Sequence, residues 1–218
     1  MDHQSLKDRV AAHIRRAILD GQMELGTRLI ETTVAAEMGV SRGPVREAFL
    51  HLAREGLLEI NPRRGVSVTT LAPEDIWQLY TLRAHLEALM VRYGLARMGP
   101  ADFRFLEELV DEMGGLVEGP GAIATITELD LAFHGRIAEC CPYPRMVEAY
   151  RALDSMIGAC IYTVVKTLNS PMTRMQERHR TVLDGLRMGN VPVAEAVVQA
   201  HWIETAEQMR QAALVISR

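Results

Sequence analysis

The sequence predicts a mainly α-helical protein in two parts: a winged helix-turn-helix over residues 1–72 and an all-helical antiparallel bundle over residues 73–218. Three observations predict it. The stretch Thr33–Leu52 reads as two short helices around a tight turn, with Gly39 ending the first and Ser41 opening the second. The stretch Glu55–Val68 follows at once and alternates like a β-hairpin with a basic tip. Beyond residue 73, helical periodicity is interrupted only by Gly, Pro and Asn clusters, and no strand pattern occurs.

Composition narrows the classes. The chain has 218 residues, 48% hydrophobic, 24% charged and 5% aromatic, which is ordinary for a globular protein with a real core. Its net charge of −4 argues against a basic coat for indiscriminate nucleic-acid binding. Residues 1–70 hold ten Lys/Arg against nine Asp/Glu, and the remainder holds fourteen against nineteen. Any nucleic-acid contact must therefore come from local clusters. Cys140, Cys141 and Cys160 show no framework spacing, so they are expected to be reduced packing residues of a cytoplasmic protein. No run approaches the roughly 20 apolar residues of a membrane span, and no membrane partner is expected.

In the N-terminal part, Leu6, Val10, Ile14, Ala17 and Ile18 fall on one face of a helix spanning about residues 4–20. A loop leads through Gly26 to Leu29 and Ile30, and a second helix runs from near Glu31 to Gly39. In the third helix, Val45, Ala48, Phe49 and Leu52 recur at core spacing. Ser41, Arg42, Gly43, Pro44 and Arg46 remain at its outward N-terminal end, with Arg42 and Arg46 one turn apart. That end of a recognition helix meets base edges in the major groove of DNA, and Arg suits the guanine edge. In the hairpin, Leu58, Ile60, Val66 and Val68 share a face. Gly65 allows a positive φ, and Arg63 and Arg64 are carried to the tip, where they can reach phosphate.

These residues resemble the DNA-binding domain of the GntR superfamily, chiefly through Gly39–Ala48 and Glu55–Val66. The resemblance implies DNA contacts at Ser41, Arg42, Gly43, Pro44, Arg46 and Gly65. It also implies a homodimer on a palindromic double-stranded operator, usually repressed. Where the family often has an Arg early in the second helix, this chain has Thr32. Its operator contact there is expected to differ.

The C-terminal part parses into six helices: 74–98, 101–118, 121–140, 143–167, 171–189 and 192–215. Four polar residues fall on otherwise apolar faces. Asp130 and His134 sit at i, i+4 among Ile126, Phe133 and Ile137; His179 lies with Val182, Leu183 and Leu186, and His201 with Val197 and Val198. Each alone reads as a satisfied core residue. One carboxylate and three imidazoles together would suit a divalent transition metal such as zinc, nickel, iron or manganese, if they converge. Arg83 shares a face with Leu79, Leu86 and Met90, so it needs an anion. Glu87, one turn on, and the carboxylate of a bound effector both remain open.

Residues 75–215 resemble the FCD ligand-binding domain of FadR-like regulators, through Leu82–Glu87, Asp130–His134, His179–Asp184 and Ala200–His201. Six helices point to its VanR-type branch. The resemblance implies metal binding by Asp130, His134, His179 and His201, most often zinc, and control by a small organic acid beside it, with Arg83 as an effector contact. One departure is Tyr143, where the family usually has Asn before the Pro. Two rivals stand beside this reading. One is a regulator with a purely structural metal. The other is a metal-dependent hydrolase, for which no well-placed general base is visible; no enzymatic activity is expected.

Overall fold

The computed structural model describes residues 5–117, 119, 121–168 and 172–216. The chain divides into two compact units, Met1–Leu71 and Ala72–Arg218. In the first, α1 (Leu6–Leu19) starts where the Ser5 hydroxyl accepts the backbone N–H of Asp8 at 3.2 Å. Its buried stripe is Val10, Ile14, Ala17 and Ile18. Leu6, expected in that stripe, is 47% exposed: it opens the helix, beyond the reach of the core.

Next come β1 (Arg28–Leu29), α2 (Glu31–Met38), α3 (Arg42–Arg54), β2 (Leu58–Asn61) and β3 (Gly65–Val68). The turn between α2 and α3 rests on Gly39 at φ +64°, where a left-handed residue ends the helix. Val45, Ala48, Phe49 and Leu52 of α3 are buried and belong to a core that includes Val10, Ile14, Leu57 and Val68. Burial of each large side chain contributes about 1.5–3 kcal/mol. The strands form an antiparallel sheet in the order β1-β3-β2. The two-residue β1 is too short to show alternation, and the sequence pattern leaves it as loop. In the hairpin, Leu58 faces Val68 and Ile60 faces Val66.

The second unit contains α4 (Pro73–Gly94), a 3-10 turn (Leu95–Arg97), α5 (Pro100–Gly115), α6 (Ala122–Glu139), α7 (Pro144–Arg151), α8 (Asp154–Leu168), α9 (Met172–Arg187) and α10 (Val191–Ile216). Pro73, Pro100 and Pro144 open their helices, a position that needs no N–H. The carboxylates of Asp75 and Asp102 accept the N–H groups of Ala72 and Gly99 at 3.0 and 2.7 Å. The break expected at Asn169–Pro171 lies outside the described residues.

The six-helix count is corrected. The segment 143–167 is two helices, α7 and α8, so the described residues of this unit contain seven, and the branch assignment that rested on six loses its support. The break at Ala152-Leu153 has no local signal, because both residues favour helix. It arises from tertiary structure: Asp154 starts α8 with its carboxylate drawn to Arg83 of α4.

Helices α4 and α10 pack along much of their lengths, α9 lies against α5 and α10, and α6 lies against α4, α5 and α8. At Gly94 the chain end of α6 comes so close that a Cβ would sit 3.0 Å from the backbone of Cys140 and Cys141. Cys141 and Cys160 are buried, and all three cysteines are free thiols. Burial pushes the Cys160 thiol up to about 12, so it stays protonated and packs. No helix among the described residues is long and apolar enough to cross a membrane.

Candidate metal centre and nucleic-acid interface

Three helices bring Asp130 and His134 (α6), His179 (α9) and His201 (α10) together, all four buried, with one potential ligand atom from each lying within 4.8 Å of the others. The helices are held in register by charged ties on either side of His179. Arg178 donates to the backbone oxygen of His201 at 2.7 Å, fastening α9 to α10. Arg180 and Arg187 pair with Glu107, fastening α9 to α5. The three imidazole centroids form a triangle with sides of 4.9, 4.9 and 5.2 Å.

Outer partners decide which ring nitrogens face inward. His179 Nδ1 donates to the Met175 carbonyl at 2.7 Å, since a carbonyl can only accept. His134 Nδ1 lies 2.8 Å from Glu87 Oε1. Burial pushes the Glu87 carboxyl up, but His134, Arg83 and Tyr150 outweigh it and keep it ionised, so this nitrogen donates as well. The Nε2 lone pairs of both rings are thereby turned into the cluster. There His134 Nε2 meets His201 Nε2 at 3.2 Å, and His179 Nε2 meets Asp130 Oδ1 at 3.1 Å. The second contact has ion-pair distance but not hydrogen-bond geometry, for His179 Nε2 has no hydrogen-bond partner among the described residues. Asp130 Oδ2 and His201 Nδ1 also lack one.

Inward-turned lone pairs beside a carboxylate need a cation among them, either a proton or a metal ion. Burial would push Asp130 up, but contact with His179 and the charges of His134, His179 and Arg83 hold it below the usual carboxylate range. Burial above all, then the neighbouring His134, His179 and Arg178, pushes His201 well down, so it stays neutral and able to ligate. All four are buried and turned toward one another, and His134 and His179 are fixed through their outer nitrogens, so these residues fit a divalent transition metal.

Glu87 is the functional residue the sequence pattern misplaces. It does not pair with Arg83. Its second oxygen accepts from Trp202 Nε1 at 2.8 Å and from the Tyr150 hydroxyl. Arg83 instead pairs with Asp154 through Nη1 at 2.7 Å, and it lies over the Tyr150 ring at 4.0 Å. Burial pushes Arg83 down, yet Tyr150, Asp154 and Glu87 more than offset that and keep it charged. Its Nε and Nη2, fully buried, have no hydrogen-bond partner among the described residues, nor has the hydroxyl of Tyr80. A helix-period signal could find Glu87 but not its partners. Tyr143 caps no N–H of α7; its ring meets Tyr93 edge-on at 4.9 Å.

At the other candidate site, Ser41, Arg42, Gly43 and Arg46 are exposed on the first turns of α3, with Pro44 half-buried among them, and Thr32 is exposed on α2. Ser41 is the N-cap residue without a side-chain cap bond, so its hydroxyl is left for another partner. Arg63, Arg64 and Gly65 form the exposed hairpin tip. Asn61 Oδ1 accepts the N–H groups of Arg63 and Arg64 at 2.9 and 3.2 Å, which stiffens the turn, and Gly65 completes it at φ +86°. The sequence pattern offers no sign of Glu31, which pairs with both Arg42 and Arg46.

Comparison with known proteins accounts for both units. The family model for bacterial regulatory proteins of the gntR family matches residues 6–68, and the FCD domain model matches residues 78–204. The transcriptional repressor RspR of Escherichia coli is 26% identical over 95% of this chain and 90% of its own. The gluconate operon transcriptional repressor of Bacillus licheniformis is 36% identical over 50% of this chain and 42% of its own. A solved structure from Rhodococcus sp. RHA1, described as a GntR transcriptional regulator, superposes with a TM-score of 0.77 at 26% identity, covering 93% and 96% of the two chains. The family and these relatives are transcription regulators, not enzymes, so the hydrolase alternative has no support.

Proposed function

Because the chain belongs to the GntR family of DNA-binding transcription regulators and carries an FCD domain, we propose that it is a cytoplasmic, homodimeric repressor whose operator binding is controlled by a small organic acid at a metal site. The observation that carries this reading is the buried convergence of Asp130, His134, His179 and His201. These four would hold a divalent transition metal, with zinc favoured by the imidazole-rich set. Such an ion supplies a Lewis-acid contact for a carboxylate.

The chain's own residues supply the rest. Glu87 holds His134 in the tautomer that offers Nε2, and the Met175 carbonyl does the same for His179. Arg83 keeps two nitrogens, Nε and Nη2, without a hydrogen-bond partner among the described residues, and it is linked to the cluster through Glu87, Tyr150 and Trp202. A buried guanidinium with free donors suits an anion, and a carboxylate above all. Ser41–Arg46 and Thr32 would face a major groove, with Arg63 and Arg64 on the flanking backbone of a palindromic operator. To act as a switch, the acid must bind one state of the dimer more tightly than the other.

Calorimetric titration of the metal-loaded protein with a panel of small carboxylates, sugar acids included, tests the reading. Heat from one acid that disappears in His134→Ala is the expected result. Silence across the panel with the metal still bound would leave a structural metal and no acid effector.

A further inference from the structure

Glu31 is the first residue of α2, and its carboxylate crosses to α3. Oε1 accepts from Arg46 Nε at 3.1 Å, while Oε2 accepts from Arg46 Nη2 at 3.0 Å and Arg42 Nη2 at 3.1 Å. As an acid in the first turn it also favours the helix dipole, and surface ion pairs add little stability. Neither effect calls for one carboxylate to gather two arginines from another helix.

The chemistry of the guanidinium does. Its five N–H groups form a rigid fork. Side-on pairing uses Nε–H and one Nη2–H of Arg46. The opposite edge, with an Nη1–H and the other Nη2–H, matches the O6 and N7 acceptors of guanine. None of the three bonds uses Nη1 of either arginine. The side chains of Arg42 and Arg46 are 60% and 61% exposed, against 25% for Glu31. Unclamped, such side chains would follow phosphate as readily as a base edge. Glu31 also removes one of the two positive charges, and non-specific affinity grows with the number of phosphates neutralised.

We propose that Glu31 is the specificity-determining residue of this surface, a positioning group that aims Arg46 at a guanine and restrains Arg42 and Arg46 from indiscriminate phosphate binding. The proposal rests on the reading that α3 enters the major groove.

The full-length protein is used to enrich duplexes from a randomised pool. The enriched duplex and a scrambled one are then titrated at several salt concentrations with wild type, Glu31→Gln, Glu31→Asp and Arg46→Ala. For Glu31→Gln, the enriched-to-scrambled affinity ratio should fall by about ten-fold. Scrambled-duplex affinity should rise, and its salt slope should steepen by about 0.9 for each additional phosphate neutralised. Re-enrichment should lose its guanine preference at one position, with the melting temperature unchanged. Glu31→Asp keeps the charge but shortens the reach, so it should relax base preference without raising scrambled-duplex affinity. An unchanged ratio and base profile in Glu31→Gln would overturn the proposal, as would a parallel loss of both affinities with a lower melting temperature. If Arg46→Ala leaves the ratio intact, the major-groove reading itself fails; if it collapses the ratio while Glu31→Gln does not, only the role of Glu31 fails.

Discussion

The two candidate sites handle charge in opposite ways. Arg42, Arg46 and Glu31 form their ion pairs at the surface, where water screens them and removing a partner leaves nothing stranded. Asp130, His134, His179, His201, Glu87 and Arg83 are buried together, where each unpaired polar atom is expensive and each removed partner strands another. Surface charge can be kept for aim alone. Buried charge on this scale destabilises the fold unless something binds it. Asp130 Oδ2, His179 Nε2 and Arg83 Nη2 are among the buried atoms that find no hydrogen-bond partner among the described residues.

Variants can break or sharpen this contrast. The largest effect is expected from His179→Ala. If the proposed zinc site holds, loss of one of its four residues should weaken zinc binding by more than the about 10–100-fold typical of an outer partner, read by calorimetry against a chelator of known affinity. Retained stoichiometric tight binding would remove His179 from the ligand set. Glu87→Gln comes next. The Gln amide has a single oxygen, so its NH2 must face either the Trp202 and Tyr150 donors or His134 Nδ1, and metal affinity should drop by about 10–100-fold. Removing the Glu87 charge also breaks its buried pair with His134, so stability should fall by about 3–5 kcal/mol in denaturant titration. A Glu87→Gln protein as stable as wild type would mean that the buried network is not under the electrostatic load described.

Smaller effects should appear at the surface. Arg46→Ala should weaken binding to the enriched duplex by about ten-fold or more while the thermal midpoint stays put. A drop in that midpoint would make the exposed arginine structural and erase the contrast. Arg92→Gln, which breaks an exposed pair with Glu195, should change neither the thermal midpoint, nor metal content, nor DNA affinity. A measurable loss in any of them would show that surface pairs matter more here than their screening implies.

What could be read in advance follows the range of the forces involved. Asp130 and His134 lie one turn apart on α6, so their shared face was legible from spacing. So were the α2–α3 turn at Gly39, the core face of α3 and the hairpin register from Leu58 to Val68, because each depends on residues a few positions apart. The winged helix-turn-helix and the helical character of the described residues from Pro73 onward were determined in this way by local periodicity, capping and turn chemistry. The meeting of His134 with His201, the choice of Asp154 over Glu87 as the partner of Arg83, and the break between α7 and α8 were decided only by tertiary structure. So was the bridge from Glu31 to α3, 11 and 15 residues away. The physical reason is the same in each case. Hydrogen bonds and ion pairs reach only about 3 Å, and which distant groups come that close is set by how whole helices pack, through many small apolar contacts that no short stretch of sequence specifies.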